Sequence, residues 1–129
     1  MATRSYILIK DKNSYKGVYC HWDGYPDNNG VLLTRYYKNK RKIKQLISLG
    51  NLSSLNQKVF PRKSHSHSKP LKGVTIAYHR DRQENFHNVI FEKESFNNFL
   101  RDVDYVYVFD NGKWKCYNRI GLVEIPKNY

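Results

Sequence analysis

Two short stretches hold most of the side chains able to do chemistry. "CHWDGYP" (20–26) sets Cys20, His21 and Asp23 among aromatics, and "HRDRQENFH" (79–87) carries two histidines, two arginines and two carboxylates. Cys20 and His21 are neighbours, so on a strand they face opposite sides and cannot form a nucleophile–base pair. A catalytic thiol at Cys20 would need its base from His79 or His87. No cysteine-enzyme signature surrounds it, and a buried structural thiol is the commoner state. His21 and Asp23 share a face if the strand continues through them, with Trp22 on the other. The stretch then has two uses. It is a turn packed by Trp22 and Tyr25, shaped by Gly24 and Pro26 and capped by Asp27, or it is a pocket wall in which His21, Asp23 and Tyr25 meet a ligand.

In the second stretch, Arg80 and Arg82 point to the same side if a strand runs through them. Two guanidiniums so placed clamp a phosphate or carboxylate bidentately, with Asp81 and Glu84 to orient them. The same residues also suit an Arg–Asp network that pins this stretch to the "CHWDGYP" turn. A divalent metal could draw on His21, Asp23, His79, Asp81, Glu84 and His87. Neither H-E-x-x-H nor C-x-x-C is present, so no metal or other cofactor is expected. "HSHS" (65–68) reads as solvated polar sequence.

The chain carries a net charge of +12, and its distribution is uneven. No acidic residue lies between Asp27 and Asp81, while the interval holds Arg35, Lys38, Lys40, Arg41, Lys42, Lys44, Lys58, Arg62, Lys63, Lys69, Lys72 and Arg80. Charge segregated in this way favours an anionic partner. Tyr36, Tyr37 and Phe60 lie near these cations, and aromatic faces stack bases while Lys and Arg meet phosphates. The candidate nucleic-acid contacts are therefore Arg35, Lys38, Lys40, Arg41, Lys42, Lys44, Arg62 and Lys63. A solvated helix face is the other meaning of such a run. No helix-turn-helix, zinc-finger or ribonucleoprotein motif is visible, so sequence-specific readout has no support.

The elements that must position these groups fit one α+β domain of 129 residues: a mostly antiparallel sheet with two or three helices on one face. "SYILIK" (5–10) and "YKGVYCHW" (15–22) predict an N-terminal hairpin across "DKNS". Asp27, Asn28 or Asn29 is positioned to cap the following helix. The run 30–50 loses its apolar rhythm at "KNKRK", which predicts two short helices with a kink near residue 39, the second capped by Asn39 and ended by Gly50. Residues 51–73, with Pro61 and Pro70, read as a long basic loop. "VTIAYH" (74–79) and "VIFEK" (89–93) read as strands, with a polar loop between them. "ESFNNFLRDV" (94–103) has helical spacing. "DYVYVFDNGKWKCYN" (104–118) is a hairpin turning at Asn111-Gly112. "KNY" frays. No apolar run reaches the roughly 18 residues of a membrane span, and the N-terminus lacks a signal-peptide core. Two cysteines are too few for a disulfide framework. A reducing, cytoplasmic setting is expected.

"YCHWDGYPDNNGVLL" (19–33), "IKQLISLGNLSSL" (43–55) and "AYHRDRQE" (77–84) together resemble a family of small bacteriophage and prophage proteins. Its members show "CHWDGYP", a helix ending at Leu-Gly before "SSL", and "YxRDRGE". The similarity covers most of residues 1–84. Gln83 stands where the family motif has Gly, and the basic run 38–42 replaces an acidic or mixed stretch. The resemblance implies a phage origin and an accessory role in the infected bacterial cell, without implying a reaction. The expected function is counter-defence, anti-CRISPR-like, through a basic surface that binds nucleic acid or a host effector complex containing it. Two alternatives are a sponge for a nucleotide second messenger and a small metal-dependent nuclease or nucleotide hydrolase built on His79, Asp81, Glu84 and His87. An adaptor with no anionic ligand is a further class.

Overall fold

The structure is a computed structural model and describes residues 2–12, 14–61, 66–92 and 101–126. Among the described residues its centre is an eight-stranded sheet. Strand β1 (Ser5–Lys10) pairs antiparallel with β2 (Ser14–Cys20), and its continuous apolar run 6–9 is buried on both faces of the sheet. On its other edge β1 runs parallel to β6 (Tyr105–Asp110), which forms a hairpin with β7 (Lys113–Tyr117) and leads to β8 (Leu122–Val123). Asn111 and Gly112 both take positive φ, 52° and 75°, as the expected type I′ turn demands. The far edge of β2 pairs with β5 (Val89–Glu92) near residues 14–17 and with β3 (Leu52–Ser54) at Cys20. Strand β4 (Ile76–Ala77) closes that edge against β3. Most pairings are antiparallel, and the fold is α+β.

Helices α1 (Val31–Tyr36) and α2 (Lys40–Ile47) cover one face. Their buried Leu33, Ile43, Leu46 and Ile47 pack with Ile7, Ile9, Val18 and Cys20 from the sheet. The opposite face buries Tyr6, Leu8, Tyr15, Val106 and Val108, with Val103 against them. The helix expected over 94–103 lies mostly outside the described residues, as does the fraying tail. The break between α1 and α2 falls where "KNKRK" interrupts the apolar rhythm. There the Asn39 side chain accepts a hydrogen bond from Lys42 N–H at 2.8 Å, and Gly50 ends the second helix at φ 79°. Among the described residues no helix is long and apolar enough to cross a membrane.

Four local expectations are corrected. Strand β2 stops at Cys20 rather than residue 22, because the His21 and Trp22 N–H groups turn to the Leu52 and Ser53 carbonyls. No side chain caps α1: a π-helical turn (Pro26–Gly30) precedes it, and Asn29 points inward. The segment 51–73 is not wholly irregular, since buried Leu52, Leu55 and Val59 anchor β3 and a bridge from Lys58 to Val74. The run 74–79 keeps only two strand residues before the chain coils into helix α3 (Tyr78–Arg82).

Candidate nucleic-acid interface

The opening motif is a turn tied to the sheet from several directions. The Gly24 N–H donates to Thr3 O at 2.9 Å, and the buried Tyr107 hydroxyl donates to Gly24 O at 2.6 Å. A Cβ at Gly24 would sit 2.8 Å from Ser5 Cβ, so only glycine fits. The buried Asn29 amide donates to Ser5 Oγ (3.2 Å) and Cys20 Sγ (3.5 Å). Burial pushes the Cys20 thiol up to about 11, against which the Asn29 hydrogen bond works only in part. That environment suppresses the thiolate a nucleophile needs. Cys116 is buried too, and pushed up to about 11 for the same reason.

Asp23 does not share a strand face with His21, as the strand has already ended. It adopts the left-handed conformation at φ 56°, which Asp tolerates better than most residues, and its side chain is exposed. His21 Nδ1 shares a 2.7 Å hydrogen bond with the Tyr19 hydroxyl. Trp22 is not the core residue its size suggests. It is 45% exposed, with its ring edge-on to His21 at 4.7 Å. Tyr25 is 41% exposed at the entry to the π-helical turn.

Arg80 and Arg82 are not on one side of a strand. They lie on α3, where residues two apart diverge. Arg80 turns inward: its Nε and Nη2 donate to the two carboxylate oxygens of Asp81 at 2.8 and 3.0 Å, Nη2 also to Thr75 O at 2.7 Å, and Nη1 to Val59 O. Buried Asp81 in turn accepts the Ala77 N–H at 2.8 Å. The brace joins α3 to the segment before it, not to the "CHWDGYP" turn. Arg82 points outward and meets exposed Glu84 at 3.4 Å. His79 Nδ1 donates to Glu84 O at 2.8 Å, and the half-buried His67 ring stacks over Tyr78 rather than standing in solvent. Among the described residues no three His, Cys, Asp or Glu side chains gather as metal ligands would. The depression beside His21 includes Arg4, Trp22, Asp102 and Asp104, but none of Arg80, Arg82, Asp23 or Tyr25.

The basic residues divide in two. Lys42 is partly structural: its ammonium donates to Gln57 O at 2.9 Å and lies 4.5 Å from the Tyr37 ring centre, with burial lowering its pKa. Arg35 is exposed and sits 5.3 Å from the Tyr36 ring centre. Lys38, Lys40, Arg41 and Lys44 are exposed, while Arg62 and Lys63 lie outside the described residues. Phe60 is exposed, but Tyr37 is buried in the core. Burial holds the Tyr37 hydroxyl up to about 12, and it donates to Asn56 O.

Lys40 and Lys44 fall one turn apart on α2 and stand on a ridge between two concavities. On one side lies a shallow groove with Arg41, Gln45 and Ser48. On the other is a cleft of about 410 Å³ between α2 and the β1–β2 hairpin. Ile9 and Ile47 line its base, Lys10, Lys16, Lys40 and Lys44 surround it, and Phe86 and Asn88 come from the loop after α3. Among the described residues Asp11 is the acidic one in its lining, and Lys10 is paired with Asp110 at 3.5 Å. Nothing in the sequence pattern marks Lys10, Lys16 and Phe86 as neighbours of this site. They lie outside the basic interval or in a polar loop, and only the topology brings them beside α2. No known family, curated protein or solved structure matches the chain.

Proposed function

We propose that the protein is a phage-encoded accessory protein that binds nucleic acid, or a host effector complex containing it, through the exposed basic face of α2. The observation that carries this reading is the exposed row Lys38, Lys40, Arg41 and Lys44, of which Lys40 and Lys44 line a lysine-rich cleft and Arg41 the groove on the other side. Counter-defence in the cytoplasm of the infected bacterium is the role we assign to it, by analogy from the family resemblance. On this reading the protein is a binder rather than the nuclease or nucleotide hydrolase of the alternative. Two of the four side chains considered for hydrolysis are engaged elsewhere: Asp81 in the Arg80 brace and His79 on the Glu84 carbonyl.

Binding should be sequence-tolerant and steeply salt-dependent. Four phosphates neutralised on a single strand imply a loss of about 50-fold between roughly 50 and 200 mM salt. Fluorescence anisotropy with labelled oligonucleotides measures this. Changing Lys40, Arg41 and Lys44 together to Ala should flatten the salt dependence without unfolding the chain, since exposed charges contribute little to stability. Binding that ignores salt, or no binding at low salt, refutes the reading. A sponge for a free nucleotide draws on the same cations and is separated by the competition experiment below.

A further inference from the structure

The cleft beside α2 combines a cationic and an aromatic surface. One wall is cationic. Lys40 and Lys44 project from consecutive turns of α2, and Lys16 faces them from β2. Among the described residues none of these three forms an ion pair. The other wall is aromatic. Phe86 is 46% exposed, yet its loop is fixed from both sides. The Glu84 N–H donates to Tyr78 O at 3.1 Å, and the Asn51 N–H donates to His87 O at 2.7 Å. The ring lies so close over Gly50 that a Cβ there would come within 2.9 Å of it, and the His79 ring meets it edge-on at 5.6 Å.

The exposed ring is therefore held in place by backbone contacts and packing, at the mouth of a cleft large enough for a small ligand. Ligand pockets begin at roughly 300 Å³. Half-buried Asn88, in the same lining, offers both a donor and an acceptor to a polar edge.

We propose that this cleft holds one nucleotide unit, its phosphate on Lys16, Lys40 and Lys44 and its base against Phe86. The proposal rests on the nucleic-acid reading above and adds to it a defined base-binding position. Stacking on an aromatic face is tolerant of base identity because every base has a π-face. Lysine serves as a point charge toward phosphate and imposes little geometry. The site would therefore select a nucleotide over a bare polyanion without selecting a sequence. The unit can come from a single strand or from a free nucleotide.

The test uses the full chain and two labelled probes of equal length, a thymidine oligomer and its abasic counterpart, which keeps the phosphates and lacks the bases. The wild-type protein should bind the thymidine oligomer at least about fivefold tighter, as one stacked base implies. Phe86→Ala should abolish that preference and leave the abasic affinity unchanged, whereas Phe86→Trp should restore it. Lys16→Ala should weaken both probes. Unlabelled cyclic dinucleotide, titrated as competitor, separates the sources: displacement at concentrations below those needed for the oligomer assigns the cleft to a free nucleotide, and its absence assigns it to a strand. If Phe86→Ala melts normally and keeps the preference, the inference is overturned while the nucleic-acid reading stands. If neither oligomer binds at low salt but the dinucleotide binds and Phe86→Ala removes it, the nucleic-acid reading falls and the cleft assignment survives. If no probe binds, both fall.

Discussion

Arg80→Lys keeps the positive charge and removes the fork, which makes it a sharp test of the brace. The guanidinium spans three partners: both oxygens of Asp81, Thr75 O and Val59 O. Val59 and Thr75 are buried, at 3% and 0% exposure, so their carbonyls have little access to water as a substitute. A lysine ammonium can still meet Asp81 but cannot reach across to both carbonyls. Leaving one or two buried acceptors unpaired costs about 2–4 kcal/mol in all. For 129 residues, an unfolding entropy of about 2.1 cal/mol/K per residue makes 1 kcal/mol worth about 4 °C, so the melting temperature should fall by about 8–15 °C. Arg80→Ala should be worse, because it removes the partner of a carboxylate whose side chain is only 3% exposed. Arg82→Lys is the control. Its pair with Glu84 is more than half exposed on the arginine side, and such pairs contribute little. Circular dichroism melts of the three variants, run beside oligonucleotide binding on the same samples, decide the matter. An Arg80→Lys protein melting within about 2 °C of wild type, or an Arg82→Lys protein melting as low as it, would refute the brace.

Gln83→Gly should stabilise the chain. Gln83 ends α3 at φ 57°, where a side chain costs about 1–2 kcal/mol, offset by the roughly 0.5–1 kcal/mol of extra freedom that Gly loses. A rise of a few degrees in melting temperature is expected, and a fall would show that the Gln83 side chain supports the loop. Trp22→Ala should cost about 1 kcal/mol by chemical denaturation, well below the 3–5 kcal/mol of a buried aromatic, because the ring is half exposed. Cys20 and Cys116 should resist iodoacetamide at pH 8 until the chain unfolds, and either one reacting in the folded protein contradicts its burial. Their folded pKa values are raised, so their stabilising contribution is complete below the unfolded value of 9.0 and is lost as pH rises from there to about 11. Denaturation midpoints measured between pH 8 and 11 should fall in that window.

What the sequence made legible was local. Asn39 declares a helix start through a side chain that reaches only to Lys42 N–H, and Asn111-Gly112 declares a turn through φ values that few other residues accept. Gly50 ends α2 for the same kind of reason. Where the deciding contact was distant, the reading failed. "VTIAYH" is too short an apolar run to separate strand from helix. It coils after Ala77 because the Asp81 carboxylate takes the Ala77 N–H and Asn51 O takes the Tyr78 N–H. Trp22 has the composition of a core residue. It is exposed, while Gly24 and Asn29 of the same turn are the residues that face inward, binding Thr3, Ser5 and Cys20. The cleft was invisible for a related reason: Lys16, Lys44 and Phe86 belong to three separate stretches that only the sheet order makes neighbours.

The acid-free interval is not all free surface charge, and the net charge overstates the surface available to the proposed partner. Arg80 and Lys42 spend part of their donor capacity on backbone carbonyls at Thr75, Val59 and Gln57. These cations satisfy acceptors that a stretch poor in regular structure leaves without ladder partners. Lys42 tests the distinction from within α2 itself. Its hydrogen bond to Gln57 and its position over Tyr37 tie the helix to the following segment, and together they are worth about 2 kcal/mol at a half-exposed site. Lys42→Ala should lower the melting temperature by about 8 °C, with only a small change in oligonucleotide affinity. The triple change at Lys40, Arg41 and Lys44 should do the reverse. If Lys42→Ala instead weakened binding as strongly as the triple variant and left the melt unchanged, the basic run would be one uniform surface, and the division between structural and binding cations would be wrong.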